Sequence, residues 1–181
     1  MEALIVVDMQ NCFAEEGGVI FVKQAKEQIP YIKRAIQEFK ANKKPVIYLG
    51  VAHDKAATIP TGLTITMPDF VSKWDAPGGL KRGSWGARYV VELEGLEDHW
   101  VEKKGFDGFH DTELDTLLRK LGVDAVYIVG TTANNCVYAT ALGAFQRGYR
   151  VVALRDGISS FSEEDRRAFL GNIEAFLGHV K

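Results

Sequence analysis

Short runs of apolar residues, separated by amphipathic helical patterns, recur along most of the sequence, and this alternation constrains the fold more than any other feature. Each run is short and rich in β-branched side chains, which is typical of strands buried on both faces. The runs lie at 3–7, 45–49, 125–129 and 151–154, and a less apolar run lies at 99–102. We interpret all of them as strands.

The segments between these runs carry the three- and four-residue spacing of helices. Gly122 and Gly148 follow two of these segments and are suited to ending a helix. Ser162 and the acidic residues after it have the spacing of a capping box, which predicts the start of a last helix. The apolar stripes comprise Ile29, Ile32, Ile36 and Phe39, then Leu114, Leu117, Leu118 and Leu121, then Val137, Ala141, Ala144 and Phe145, and finally Phe169, Leu170, Ile173, Phe176 and Leu177.

Strands that alternate with helices predict a parallel sheet with helices on both faces. We therefore predict a single α/β domain over residues 1–181, a doubly wound, Rossmann-like three-layer sandwich. Residues 51–86, called the excursion below, break the alternation with three prolines and several glycines. Long loops in compact domains are usually functional or disordered, so the excursion is predicted to cover a pocket or contact another subunit.

Composition restricts the kind of protein and its partners. The formal net charge of −2 gives no basic stripe for a nucleic acid, and no apolar run approaches the roughly 18 residues of a membrane span. Cys12 and Cys136 are too few for a disulfide framework and suit a reducing compartment. We expect a cytoplasmic protein that binds neither nucleic acid nor membrane.

Three reactive side chains follow different predicted strands. Asp8 follows the first strand, Lys103 follows the run at 99–102, and Cys136 lies at a predicted helix start after the turn 130–135. Ligands of open α/β sheets bind beyond the carboxyl ends of the strands. The sequence therefore predicts that the three side chains meet at one edge of the sheet.

This set of side chains suits acyl transfer. A helix N-terminus and a lysine ammonium both lower the pKa of a thiol, which predicts an activated Cys136. The Asp8 carboxylate can accept the thiol proton and return it to a leaving amine. The backbone N–H groups of Thr132 and Cys136 are candidates for an oxyanion hole.

Each of these residues also has an ordinary structural interpretation. Asp8 can cap a turn, Lys103 can be a solvated surface charge, and Cys136 can be an inert core cysteine. The catalytic hypothesis depends on their conjunction, because no single residue carries it.

The same residues resemble the isochorismatase-like cysteine hydrolases over about residues 3–160. The opening signature, a central glycine–tryptophan motif, a lysine segment and a nucleophile motif occur in the family's order. Phe106 lies three residues after Lys103 and fits the family spacing, which identifies Lys103 rather than Lys104. The matching stretches are 6–11 with Phe13, 83–87, 103–114, 130–145 and the final strand at 151–156.

The resemblance implies cleavage of a C–N bond in a small amide or N-carbamoyl compound, through a thioester on Cys136. It implies Asp8 and Lys103 as the catalytic partners of the thiol, a cis peptide bond between Thr131 and Thr132, and a homodimer or homotetramer. Phe13, Trp85 and Asn135 are the candidate substrate-binding residues.

The sequence departs from the metal-binding nicotinamidases of this family. Their Asp-x-His pattern is replaced here by Val51, Ala52 and His53, and Asp54 is the only additional candidate metal ligand nearby. A protein metal site needs at least three convergent ligands. We expect neither a metal nor another cofactor. Cys12 replaces the family's usual acidic residue after Asn11, and nothing in the sequence explains that change.

Four alternatives stay open beside the metal-independent amidohydrolase. The protein could be a nicotinamidase, which converts nicotinamide to nicotinate and ammonia, or an isochorismatase-type vinyl ether hydrolase, a branch that lacks the cysteine. It could also be a non-catalytic scaffold that keeps the pocket. A redox role would require Cys12 and Cys136 to lie within disulfide distance.

Overall fold

The computed structural model describes residues 1–54, 66 and 68–181. Within them six strands form one sheet in the order β3-β2-β1-β4-β5-β6, and all neighbouring pairs are parallel. This order is that of a doubly wound α/β sheet, so the predicted fold class is confirmed. The strands are β1 (Glu2–Val7), β2 (Val46–Gly50), β3 (His99–Glu102), β4 (Ala125–Thr131), β5 (Arg150–Ser159) and β6 (Gly178–Val180).

The helices of the described residues connect these strands. A 3₁₀ turn (Lys73–Asp75) follows the third helix, and π-helical turns precede the fifth helix (Ala133–Val137) and follow the sixth (Ile173–Leu177). No helix in this part of the chain combines the length and apolar character that crossing a bilayer requires. The helices are α1 (Asn11–Ala14), α2 (Lys23–Ala41), α3 (Pro68–Ser72), α4 (Leu114–Lys120), α5 (Tyr138–Gln146) and α6 (Glu163–Asn172).

The central strand β1 is buried on both faces of the sheet. Ile5 and Val7 pack with α4, α5 and α6, whereas Leu4 and Val6 pack with α2 on the opposite face. Successive strand residues point to opposite faces, so a strand between two helical layers needs apolar residues at consecutive positions. This requirement explains the unbroken apolar run at the start of the sequence.

A third apolar cluster lies under the excursion. It joins residues of the first loop and α1 to Val51, Val71, Trp74 and Leu80. The parts of the excursion at 55–65 and at 67 lie outside the described residues. The described part supplies one wall beside the carboxyl edge of the sheet.

The five predicted strands are all present, with differences at their ends. β5 continues to Ser159 rather than ending at Leu154, and its pairing with β4 shifts register between Ile128 and Gly130. The sixth strand, β6, was not predicted. It has only three residues, and its glycine and histidine give no apolar run.

The predicted helix ends are also observed. The Ser162 hydroxyl accepts a hydrogen bond from the Asp165 N–H at the start of α6, as a capping residue does. Gly122 and Gly148 follow α4 and α5 with φ of 68° and 86°, in the left-handed region that glycine tolerates best.

Gly130 allows β4 to approach β1 closely at the carboxyl end of β1. Its φ is 120°, and a Cβ added at this position would lie 2.0 Å from the Val7 carbonyl oxygen. Any side chain here must therefore push the two central strands apart.

We predict that Gly130→Ala lowers the free energy of unfolding by about 3 kcal/mol or more, because it adds a backbone clash to an unfavourable φ. The matched control is Gly171→Ala in α6, where nothing lies within 4 Å of an added Cβ. That control should stabilise the protein by about 0.5–1 kcal/mol through its higher helix propensity. Urea unfolding of both variants measures the difference, and equal stability of the two would contradict the role assigned to Gly130.

Candidate active site

The strand order reverses between β1 and β4, and the candidate residues gather at the carboxyl edge beside this point. Asp8 directly follows β1, Lys103 directly follows β3, and Cys136 lies in the π-helical turn between β4 and α5. A crevice forms there because the connections from neighbouring strands leave in opposite directions. The convergence predicted from the strand ends is observed.

The three side chains, called the trio below, are joined by Lys103, which contacts the other two. Lys103 Nζ lies 2.9 Å from Asp8 Oδ2 and donates to Cys136 Sγ at 3.3 Å. It also donates to the Gly105 carbonyl oxygen at 2.8 Å. The exposed fraction is 0% for Asp8, 2% for Lys103 and 8% for Cys136, so only the cysteine retains a narrow opening to solvent.

Backbone contacts to the end of β2 hold the acid and the lysine in place. The Asp8 N–H donates to the Leu49 carbonyl oxygen, and the Lys103 N–H donates to the Gly50 carbonyl oxygen, each at 2.9 Å. Asp8 has φ of 52°, which is uncommon for a residue other than glycine. Unfavourable backbone geometry of this kind is often found at functional sites, where surrounding contacts enforce it.

Burial and the attraction between Lys103 and Asp8 shift the pKa values of these two residues in opposite directions. Burial acts to lower the pKa of Lys103, but Asp8 and Cys136 face its ammonium, and the net pKa is raised. Burial raises the pKa of Asp8, and the ammonium of Lys103 works against that rise. A buried charge that lost its partner would be costly, so each residue requires the other.

The pKa of the Cys136 thiol is shifted in the direction opposite to the one that the sequence predicted. Burial, with the Asp8 carboxylate adding to it, raises the pKa of Cys136 to about 12, and the Lys103 ammonium opposes the rise. The prediction of a lowered thiol pKa is therefore wrong for the resting site. This environment favours the protonated thiol, and the nearby Asp8 carboxylate is a candidate acceptor for its proton.

The trio lines a cleft whose empty space is about 390 Å³, a volume that includes open solvent at its mouth. Phe13, Thr132 and Asn135 line it, as the sequence analysis proposed, and the peptide bond between Thr131 and Thr132 is cis. The other walls are mainly apolar and come from five separate segments of the chain. They are Ile20, Val51, Phe70, Trp74, Phe106, Thr131 and Phe161.

Trp85 does not line this cleft, and its assignment as a pocket wall is wrong. Its side chain is 40% exposed, and its backbone carbonyl accepts a hydrogen bond from the Asn11 side chain. The tryptophan of the cleft is Trp74, which is 3% exposed. Flanking glycines marked Trp85 in the sequence, whereas only the packing of the excursion brings Trp74 to the site.

The sequence analysis also missed two residues that help to form the site, Phe161 and Gln10. Phe161 follows the observed end of β5 at Ser159, but the sequence placed that end at Leu154, so the rule about carboxyl ends of strands did not reach it. Gln10 lies within the matching stretch 6–11, in which the sequence analysis assigned no role to this residue. Its fully buried side-chain amide joins two loops beside the site. It donates to the carbonyl oxygens of Val51 and Ala87, and it accepts from the Val51 N–H.

The histidine of the excursion lies in an adjoining cavity. His53 is 5% exposed, its Nδ1 lies 3.7 Å from Asp75 Oδ1, and it shares that cavity with Asp54. Across the described residues, His, Cys, Asp and Glu side chains do not group in threes as metal ligands. His53 and Asp54 therefore do not supply the donor set of a nicotinamidase metal site.

The two free cysteines occupy different environments. Cys12 is fully buried in α1, in the apolar cluster under the excursion, and burial raises its pKa to about 12. It does not line the cleft that contains Cys136. The structure offers no contact that explains why a cysteine stands at this position.

Comparisons with known proteins agree with this architecture. Residues 2–181 match the model of the "Isochorismatase domain" family. The "uncharacterized isochorismatase family protein YwoC" of Bacillus subtilis is 29% identical, with 97% of this chain and 87% of that protein covered. The "ureidoacrylate amidohydrolase RutB" of Yersinia enterocolitica is 31% identical, with 98% of this chain and 84% of that protein covered.

A solved structure gives the same result. The cysteine hydrolase from Pseudomonas syringae pv. phaseolicola superposes with a TM-score of 0.89 at 29% identity, and the match covers 99% of this chain and 87% of that one. The family match spans nearly all of the chain, and the relatives align over most of their own length. The chain therefore belongs to the isochorismatase family and is a hydrolase.

Proposed function

We propose that the protein is a cysteine-dependent amidohydrolase that cleaves a C–N bond of a small amide or N-carbamoyl compound. One observation carries the proposal: a single buried ammonium, Lys103 Nζ, contacts both the Asp8 carboxylate and the Cys136 sulfur in a cleft. The charge-stabilising group thus contacts both the nucleophile and the base. The similarity to an amidohydrolase and to a cysteine hydrolase supports this assignment.

The first half of the reaction forms a thioester. Asp8 takes the proton of Cys136 as the sulfur attacks the carbonyl carbon, and the Lys103 ammonium stabilises the negative charge that develops on sulfur. The carbonyl oxygen becomes an oxyanion, for which the backbone N–H groups of Thr132 and Cys136 are the proposed donors. Asp8 then gives its proton to the nitrogen, the C–N bond breaks, and ammonia or an amine leaves.

The second half regenerates the enzyme. Water enters the position that the amine vacated, and Asp8 takes one of its protons as the oxygen attacks the thioester carbon. The C–S bond breaks, the sulfur regains a proton from Asp8, and the acid leaves. From an N-carbamoyl substrate the acid is a carbamic acid, which decomposes to carbon dioxide and an amine or ammonia. No metal takes part in these steps.

The other functions are less well supported by the site. A vinyl ether hydrolase of this family lacks the cysteine, whereas Cys136 is present and contacts the trio's lysine. A scaffold has no use for a buried carboxylate, ammonium and thiol in contact, because desolvating such charges is costly. Nicotinamide hydrolysis stays open as one member of the amide class. The predicted homo-oligomer and the cytoplasmic location also stay predictions.

We predict that Cys136→Ala lowers kcat for ammonia release by at least about 1,000-fold, because it removes the nucleophile. Cys136→Ser should be similarly inactive, since a serine hydroxyl is a poorer nucleophile in this setting. A colorimetric ammonia assay over primary amides and N-carbamoyl compounds gives the readout. Cys12→Ala is the matched control and should keep turnover, because Cys12 does not line the cleft. Full activity in folded Cys136→Ala would end the proposal.

We predict that kcat/KM falls with decreasing pH at values above the ordinary aspartate pKa of 3.8. Asp8 must be ionised to accept the thiol proton, and burial raises its pKa, so protonation removes the base earlier than for an exposed carboxyl. Lys103→Gln removes the ammonium that opposes this rise, so the acidic limb of its residual activity should move to higher pH. Circular dichroism at each pH verifies folding, and a limb at or below 3.8 would contradict Asp8 as the base.

A further inference from the structure

The cation of the catalytic cleft is already surrounded by protein groups. Lys103 Nζ has the Asp8 carboxylate at 2.9 Å, the Gly105 carbonyl oxygen at 2.8 Å and the Cys136 sulfur at 3.3 Å. The carbonyl oxygen and the sulfur accept hydrogen bonds from the ammonium, and the carboxylate forms an ion pair with it. The positive charge of Lys103 is therefore already balanced by Asp8, which leaves little net charge for a negatively charged substrate group.

Two cations that line the adjoining cavity, both in the described part of the chain, are also paired. Arg82 lines the adjoining cavity that includes His53, and it donates to Glu102 through both terminal nitrogens and to Asp54 through Nε. Lys104 lies 3.9 Å from the same Glu102 carboxylate. Among the described residues that line the catalytic cleft itself, Lys103 is the only cation.

The remaining walls offer apolar surface and uncharged polar groups. Aromatic rings reach the cleft from α1, the excursion, the loop after β3 and the loop after β5. Thr131 is 1% exposed, and its hydroxyl has no hydrogen-bond partner among the described residues. A hydroxyl and the Asn135 side-chain amide can donate to or accept from an uncharged group, whereas neither neutralises an anion.

From these walls we infer that the enzyme selects uncharged substrates with an apolar acyl or amine portion and rejects those that carry a carboxylate. The inference rests on the proposed amidohydrolase function and narrows it to one substrate class. The one cation among the described residues of this cleft is already paired with Asp8, so a carboxylate that entered would lose its hydration without an unpaired counter-ion there, and Asp8 would repel it. Removing an uncharged amide from water costs much less free energy, and its apolar portion would pack against the aromatic walls.

This preference separates the chain from what the name of one relative implies. Ureidoacrylate, the substrate in the name of the Yersinia enterocolitica protein, carries a carboxylate beside its ureido group. The inference therefore expects this chain to act on a molecule that differs in charge from the one in that name.

The test uses pairs of substrates that differ in charge but not in shape. Isopentylurea is compared with ureidopropanoate, and para-nitrobenzamide with para-carbamoylbenzoate, by ammonia release from the full chain. The expected kcat/KM is about 100-fold higher for the uncharged member of each pair, because the buried carboxylate is uncompensated. Equal rates within a pair, or a preference for the anion, would overturn the inference.

A positive charge introduced at the mouth of the catalytic cleft provides a second test of the inference. Phe161 lines the cleft and is 56% exposed, so Phe161→Arg places a cation there without burying it. This variant should raise kcat/KM for the anionic members by about tenfold through a new ion pair. Phe176→Arg is the matched control, because Phe176 is 75% exposed and does not line the cleft. An equal gain in both variants would show that general charge, not the wall, sets the preference.

Binding distinguishes failure of the inference from failure of the proposed function. If no compound of the amide screen is hydrolysed, the amidohydrolase proposal fails. The thermal shift of folded Cys136→Ala with each substrate pair then still tests charge selection. A shift with the uncharged members alone supports the inference, and an equal shift with both members contradicts it.

Discussion

The buried contact between Lys103 and Asp8 is the constraint on which the rest of the site depends. Both residues are almost completely removed from water, so each charge is tolerable only beside the other. Their backbones are bonded to the end of the same strand, β2, which sets the distance between the side chains. The thiol of Cys136 completes an arrangement whose net charge is balanced, and the cleft above it can be largely apolar.

Much of the fold and the trio could be predicted because both depend on local sequence. Consecutive apolar residues such as 3–7 report burial on both sides of a strand, and parallel strands bring their carboxyl ends to one edge. Asp8, Lys103 and Cys136 each follow such a strand closely. Their convergence therefore follows from topology, and the observed distances agree with it.

The parts that could not be predicted depend on tertiary packing. The exchange of Trp85 for Trp74 reflects how the excursion folds back on the sheet edge, which no periodic pattern in its sequence reports. The direction of the Cys136 pKa depends on the depth of burial and on the orientation of Asp8, and neither can be read from spacing. Strand β6 is too short to produce a recognisable run of apolar residues.

The buried amide of Gln10 has an evolutionary consequence. It holds the beginning of the excursion and the segment after it through backbone groups alone, namely those of Val51 and Ala87. Side chains in these loops can therefore mutate while the hydrogen bonds that anchor the loops persist. Such an arrangement tolerates replacements around the cleft without a loss of the scaffold that holds the reacting groups.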